Sequence, residues 1–257
     1  MTRHDSWRPQ AFDVLAALGL LTRLPLHLDG ARAQARGAAA AWAWPLAGVS
    51  VGLFGAAAGG LALWLGVAPA AAAAIAIAAQ MVVTGALHED GLADSADGLW
   101  GGWDKARRLA IMKDSQIGTY GVLALVLVTL LRWVALAGLF ATGTPWGALA
   151  AAGALSRMPM AVLMAALPNA RGSGLAHSVG RPEAATVAMS CAAGLACGLL
   201  AVGAPAFSAA CWVAAVSLAV GLVARARIGG QTGDILGASQ QLSEALVLTL
   251  IAAPLAA

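Results

Sequence analysis

Apolar residues fill this chain in long blocks, and charged residues concentrate in four places. Apolar stretches cover about 38–65, 70–87, 117–140, 146–167, 184–202 and 206–224. Each is long enough to cross roughly 30 Å of hydrocarbon as a helix. A shorter stretch, 242–257, closes the chain and is brief for a span. Residues 11–28 are also apolar, but Arg23 and Pro25 interrupt them, which suits an interfacial or half-inserted helix. Trp42, Trp44 and Trp64 stand near the ends of the first span as interface anchors, while Pro45, Gly48 and Gly52 predict a kink or a close helix contact. The polar segment 88–116 reads as two short helices broken at Gly101-Gly102. The pattern therefore predicts an all-α fold: a polytopic membrane bundle of about six or seven transmembrane helices, one membrane-embedded domain over 1–257.

Composition agrees with this reading. The chain is 60% hydrophobic and only 11% charged, with a mean hydropathy of +0.80. A soluble domain carries roughly a quarter charged residues, so a soluble globular enzyme is excluded. The first residues have no apolar core followed by a small-residue cleavage site, and no cleaved signal peptide is read there. Cys191, Cys197 and Cys211 lie in apolar runs without a CxxC pair, as packing thiols do.

Charge placement gives the orientation. Segments 1–37, 88–116, 168–183 and 225–241 hold thirteen of the fifteen Lys and Arg residues and eleven of the twelve acidic ones. The links on the other side carry none, so the positive-inside rule puts the charged side in the cytoplasm. The expected location is a bacterial cytoplasmic (inner) membrane, with 1–37 as a cytoplasmic or interfacial N-terminus. Arg132, Arg157 and Glu244 fall inside spans, where a charge is expensive and faces a partner or a polar cavity. Arg157 is placed to reach bound phosphate, whereas Arg132 reads equally well as a group facing a functional polar cavity and as a structural pair or snorkelling side chain.

The chemistry concentrates in 88–116. Half of the acidic residues are there: Glu89, Asp90, Asp94, Asp97, Asp104 and Asp114. On a helix Asp90, Asp94 and Asp97 fall at i, i+4 and i+7, within about 60° of arc. Such carboxylates repel one another unless a cation sits among them, and a hard ion such as Mg²⁺ takes oxygen ligands. The bland alternative is a solvated acidic loop. Lys105, Arg107, Arg108 and Lys113 stand beside the carboxylates, as a phosphate-ester substrate requires, although each could simply set topology. A second polar element, 225–241, contains the Gly-dense run Gly229-Gly230-Gln231-Thr232-Gly233-Asp234, whose backbone could approach anionic groups.

At these residues the chain resembles the adenosylcobinamide-GDP ribazoletransferases, also called cobalamin (5′-phosphate) synthases. The resemblance rests on His88-Glu89-Asp90-Gly91-Leu92-Ala93-Asp94-Ser95-Ala96-Asp97-Gly98, on Ile111-Met112-Lys113-Asp114-Ser115, and on Ile117-Gly118-Thr119-Tyr120-Gly121. Thr22-Arg23-Leu24-Pro25, Ser156-Arg157-Met158-Pro159 and residues 229–238 add to it in family order. Arg171-Gly172-Ser173-Gly174-Leu175-Ala176 is a looser version of the family's Gly-Leu-rich stretch.

The resemblance implies a late step of vitamin B12 assembly: adenosylcobinamide-GDP is joined to α-ribazole or its 5′-phosphate, GMP leaves, and Mg²⁺ assists. It implies that Glu89, Asp90, Asp94, Asp97 and Asp234 hold metal, with Asp97, Asp94 and Lys113 in the catalytic set and Asp97 as proton acceptor. Arg107, Arg108, Asp114, Arg157, Gly230, Thr232 and Gly233 would bind substrate. The expected partners are these two substrates and the lipid bilayer, not nucleic acid, with self-association left open. A CDP-alcohol phosphotransferase is the rival, although its Ala-Arg after the Asp-Gly pair is missing here. A transporter is less favoured, because the carboxylates sit at one face.

Overall fold

The computed structural model describes residues 8–143 and 145–253. Residues 1–7 of the expected N-terminal segment, Thr144 of one link and residues 254–257 of the last apolar stretch lie outside these. Among the described residues the secondary structure is helical, without a strand. Helix α1 (Phe12–Leu21) and α2 (Gly30–Arg36) precede a 3-10 segment (Gly37–Ala43) that runs into α3 (Trp44–Trp64). Then come α4 (Pro69–Thr84), α5 (Leu87–Gly101), α6 (Lys105–Ile111), α7 (Thr119–Ala141), α8 (Trp146–Leu155) and α9 (Met158–Ala166). The chain ends with α10 (Leu175–Val179), α11 (Ala184–Val202), α12 (Pro205–Ile228) and α13 (Gly233–Ala252). Six helical stretches are long and apolar enough to cross a membrane, and α4 and α5, bent by 90° to each other, pass that test only as a pair. The protein is thus a polytopic helical membrane protein.

Close helix contacts are built on glycine, because bilayer helices gain from backbone approach rather than from excluding water. At the α3–α8 crossing, a Cβ on Gly48 would lie 2.0 Å from the Gly153 carbonyl oxygen, and one on Gly153 would lie 2.1 Å from that of Gly48. Gly52 repeats this against Leu149 at 2.2 Å, so the Pro45–Gly52 run is a packing face. Leu123, Leu127, Leu130 and Leu131 of α7 point outward, as lipid-facing residues do.

Two departures from the apolar pattern shape the site. First, α4 stops at Gly85, whose φ of 64° is left-handed, and α5 leaves at 90° to it. Ala86 is also left-handed, at φ 54°, an unfavourable conformation for a residue with a Cβ. The elbow is held from outside: the Arg23 backbone N–H donates to the Val83 carbonyl at 2.7 Å, and its side chain lies against Gly85. Second, the last span begins at Gly233, not near 242, and most of the expected second polar segment is helix. Ser239, Gln240, Gln241, Ser243 and Glu244 read as polar, yet all are buried.

They are buried because partners are waiting. Arg132 of α7 donates through Nη2 to Glu244 at 2.9 Å and to Gln80 at 3.0 Å, and through Nη1 to Gln241 at 2.8 Å and Glu89 at 3.2 Å. Arg157, in the break between α8 and α9, stands 3.9 Å from Glu244 and donates to the Gly153 carbonyl at 2.9 Å. Two arginines thus face two glutamates, with the amides of Gln80, Gln240 and Gln241 between them. Charge at this depth persists only when paired and hydrogen-bonded.

Candidate active site

Helix α5 crosses the N-terminus of α13 with almost no space between backbones. A Cβ on Gly91 would stand 2.9 Å from the Asp234 carbonyl oxygen, and one on Gly237 would stand 3.2 Å from the His88 carbonyl oxygen. This contact is the reason carboxylates far apart in sequence share one place. Asp90 is exposed and Asp94 half-buried on α5, while Asp234 sits in the first turn of α13. A helix N-terminus favours negative charge there. Thr232 caps α13 by accepting from the Ile235 N–H, and its hydroxyl donates to Asp234 Oδ2 at 3.1 Å.

The loop after α9 supplies the balancing cation. Arg171 donates through Nη2 to Asp234 Oδ2 at 2.7 Å. The loop is lashed to the start of α13 by two backbone bonds, Ala170 N–H to the Gln231 carbonyl at 2.8 Å and Gln231 N–H to the Pro168 carbonyl at 2.9 Å. Asn169 tightens the turn by accepting from the Arg171 and Gly172 N–H groups. A Cβ on Gly230 would be 2.1 Å from the Pro168 carbonyl oxygen, so that glycine admits the neighbouring loop rather than a phosphate.

Electrostatics follow from this crowding. Burial, then the neighbouring charges of Asp90 and Asp234, push the Asp94 carboxyl up to about 7, against the pull of Arg171. Asp90, Arg171, Gly233 and Asp234 line one cleft whose other wall is apolar, formed by Leu20, Trp44, Leu87, Met160, Met164 and Leu236.

Other expected site residues are placed elsewhere. Asp97 accepts from the Gly118 N–H at 2.7 Å and the Gly121 N–H at 2.9 Å, so both of its oxygens cap α7 from the side. It is pulled out of the carboxylate row because the start of α7 leaves orphan donors that need an acceptor. Glu89 turns into the buried network with Arg132, and Arg157 faces Glu244 there; neither lines the cleft. Arg108 donates to the Arg227 carbonyl at 3.0 Å and ties α6 to the end of α12. Arg107 lies over the Trp103 ring, and Lys113 and Asp114 are exposed beyond α6. Thr232 acts as a cap.

Arg171 and the cleft-lining His88 and Trp44 were not among the expected site residues. For Arg171 the available signal was its position as the first cation after a span on the charged side.

Among the described residues, no three or more His, Cys, Asp or Glu side chains form a ready metal cage. Mg²⁺ does not need one, since it commonly keeps waters and binds through one or two carboxylates plus substrate phosphates. The donor set fits such an ion: Asp90, Asp94 and Asp234 offer only carboxylate oxygens, and Asp94 bears repulsion from the other two that a cation would relieve.

The comparisons with known proteins agree with the motifs. Residues 13–252 match the family model for cobalamin-5-phosphate synthase. The chain is 43% identical to the adenosylcobinamide-GDP ribazoletransferase of Bradyrhizobium diazoefficiens over 94% of this chain and 93% of the relative. It is 42% identical to that of a Sinorhizobium species, over 93% and 95%. The Rhizobium meliloti protein of the same name is 46% identical over 68% of this chain and 70% of its own. No solved structure matches. With the match running from α1 to the end of α13, and with Asp90 and Asp234 of the motifs brought to one cleft at the α5–α13 crossing, the chain belongs to the cobalamin-5-phosphate synthase family.

Proposed function

We propose that the cleft joins adenosylcobinamide-GDP to α-ribazole, or to its 5′-phosphate, by Mg²⁺-dependent phosphoryl transfer that releases GMP. Membership of the family makes the chain a transferase of cobalamin biosynthesis. The observation that carries the finer reading is the meeting of Asp90, Asp234 and Arg171 at one cleft wall, with Asp94 near enough to feel the charge of all three.

A free ribose hydroxyl of the α-riboside attacks the phosphorus bound to the cobinamide side chain, the bond from that phosphorus to the GMP oxygen breaks, and GMP leaves with the bonding pair. Positioning and charge balance dominate such transfers. Asp90 and Asp94 would hold Mg²⁺, which when bound supplies positive charge to diphosphate oxygens. Arg171 offers the diphosphate a cation in a rigid loop, and as a forked donor it suits phosphate geometry. Asp234, oriented by Thr232 and Arg171, is the group we assign to receive the hydroxyl proton. The role first expected of Asp97 passes to it because both Asp97 oxygens are committed to α7. The charge distribution favours a cytoplasmic location for the cleft.

The test is GMP release by the purified protein given adenosylcobinamide-GDP, α-ribazole and Mg²⁺. Release should stop when the metal is chelated and return when it is restored. CMP release from a CDP-alcohol, without GMP release, would replace this reading with the rival phosphotransferase.

A further inference from the structure

Trp44 opens α3 with its ring 2% exposed, and its indole Nε1–H has no hydrogen-bond partner among the described residues. A buried donor without an acceptor is expensive and seldom kept without cause. The ring lines the carboxylate cleft and also an adjoining cleft beside α1 and α2, and the two share Leu20, Trp44, Leu175 and Val179 as a common wall. Around Trp44 the surface is aliphatic or thioether: Leu21, Met160, Met164 and Leu236. One cleft therefore has a charged end, at Asp90, Arg171 and Asp234, and an apolar end with an unused donor in its wall.

We infer that the apolar end is the subsite for the base of the nucleophile, and that the Trp44 indole N–H donates to the unsubstituted ring nitrogen of that base. This rests on the reading of the chain as a ribazole transferase. Ribazole carries a benzimidazole: two fused rings with two methyl groups and a single unsubstituted ring nitrogen, which accepts one hydrogen bond and donates none. Such a base suits a wall of Leu and Met side chains with one N–H in it. Met side chains adapt to flat rings and make favourable sulfur–aromatic contacts. A purine or pyrimidine base would bring exocyclic donors and further acceptors against the Leu and Met side chains of the apolar end, which cannot pair with them. With the base at Trp44, the ribose extends toward the carboxylates, where its hydroxyl must react. Trp44 is thus a substrate-binding residue that selects the base.

Two ribosides test this: α-ribazole, and its indole counterpart in which the unsubstituted ring nitrogen is replaced by C–H. The parent protein should bind the indole riboside about tenfold more weakly, the worth of one neutral hydrogen bond. Trp44→Phe keeps a ring but removes the N–H. It should raise KM for α-ribazole by a similar factor, leave KM for adenosylcobinamide-GDP unchanged, and bind both ribosides equally, as a double-mutant cycle requires. Equal affinity of the parent for the two ribosides overturns the assignment, and that measurement needs no variant to fold. Discrimination between them without GMP release keeps the subsite and overturns the reaction. GMP release without discrimination does the reverse.

Discussion

Two groups of charged residues lie close together in this protein, and they are built on opposite rules. In the interior, Arg132 and Arg157 face Glu89 and Glu244, with three glutamine side chains filling the gaps. Charge there is matched one for one. At the cleft, Asp90 and Asp234 meet with Arg171 as the cation bonded to one of them, and burial together with the charges of both carboxylates pushes the neighbouring Asp94 carboxyl up to about 7. The same side-chain types hold helices together in one place and remain available to a ligand in the other. What separates them is whether each charge has already met its opposite inside the fold.

Four measurements test this contrast. The largest effect is expected in the matched group. Glu244→Gln leaves two buried arginines short of a counter-charge, and such a loss typically costs about 3–5 kcal/mol. Unfolding in detergent should show the drop, and an unchanged midpoint would mean that the network contributes nothing to holding α7, α9 and α13.

Next is Asp94→Asn, which keeps size while removing an unmatched charge. Activity should fall by roughly 10²–10³, the range for losing one electrostatic stabiliser, with the fold intact. A variant that loses stability but keeps its turnover would make the cleft carboxylates structural.

The third is pH. With its carboxyl pushed up to about 7, Asp94 keeps its proton in mildly acidic solution, and a metal must displace it. At sub-saturating Mg²⁺, activity should climb as pH rises toward 7, by up to about tenfold per unit, and saturating Mg²⁺ should move the climb to lower pH. Stability without metal runs the other way. A folded pKa raised above the ordinary value stabilises fully only below that value, and the contribution is lost as pH rises through about 7. Asp94→Asn should therefore melt above the parent at pH 8, and the gap should close as the pH falls toward 4. A pH-independent gap would sink the shift.

The smallest effect is expected at Asp97. Asp97→Asn weakens the capping of α7, worth about 1 kcal/mol by analogy with helix N-caps, and should act additively with Asp234→Asn on activity. Asp94→Asn and Asp234→Asn should instead be strongly non-additive, as for residues working as one unit. Coupling of Asp97 rather than Asp94 to Asp234 would return Asp97 to the metal site.

Much of this protein could be read from the chain alone. The helical membrane class followed from long apolar blocks, because the bilayer imposes a length and satisfies no backbone group itself. The family followed from the acidic and Gly-dense motifs, and Asp90, Asp94 and Asp234 were among the expected residues. Helical periodicity could not say which of Asp90, Asp94 and Asp97 points where. That depended on α7 starting beside Asp97 with orphan N–H groups, a contact made across the fold. Nor could hydropathy place the start of α13, since Gln240, Gln241 and Glu244 look like loop residues until Arg132 and Arg157 are seen opposite them. The elbow at Gly85 and the touching glycines Gly91 and Gly237 then decided which distant residues became neighbours. Sequence spacing carries the local face of a helix and the cost of its burial. Which charge finds a partner depends on contacts between residues tens to more than a hundred positions apart, and only the packed bundle sets those.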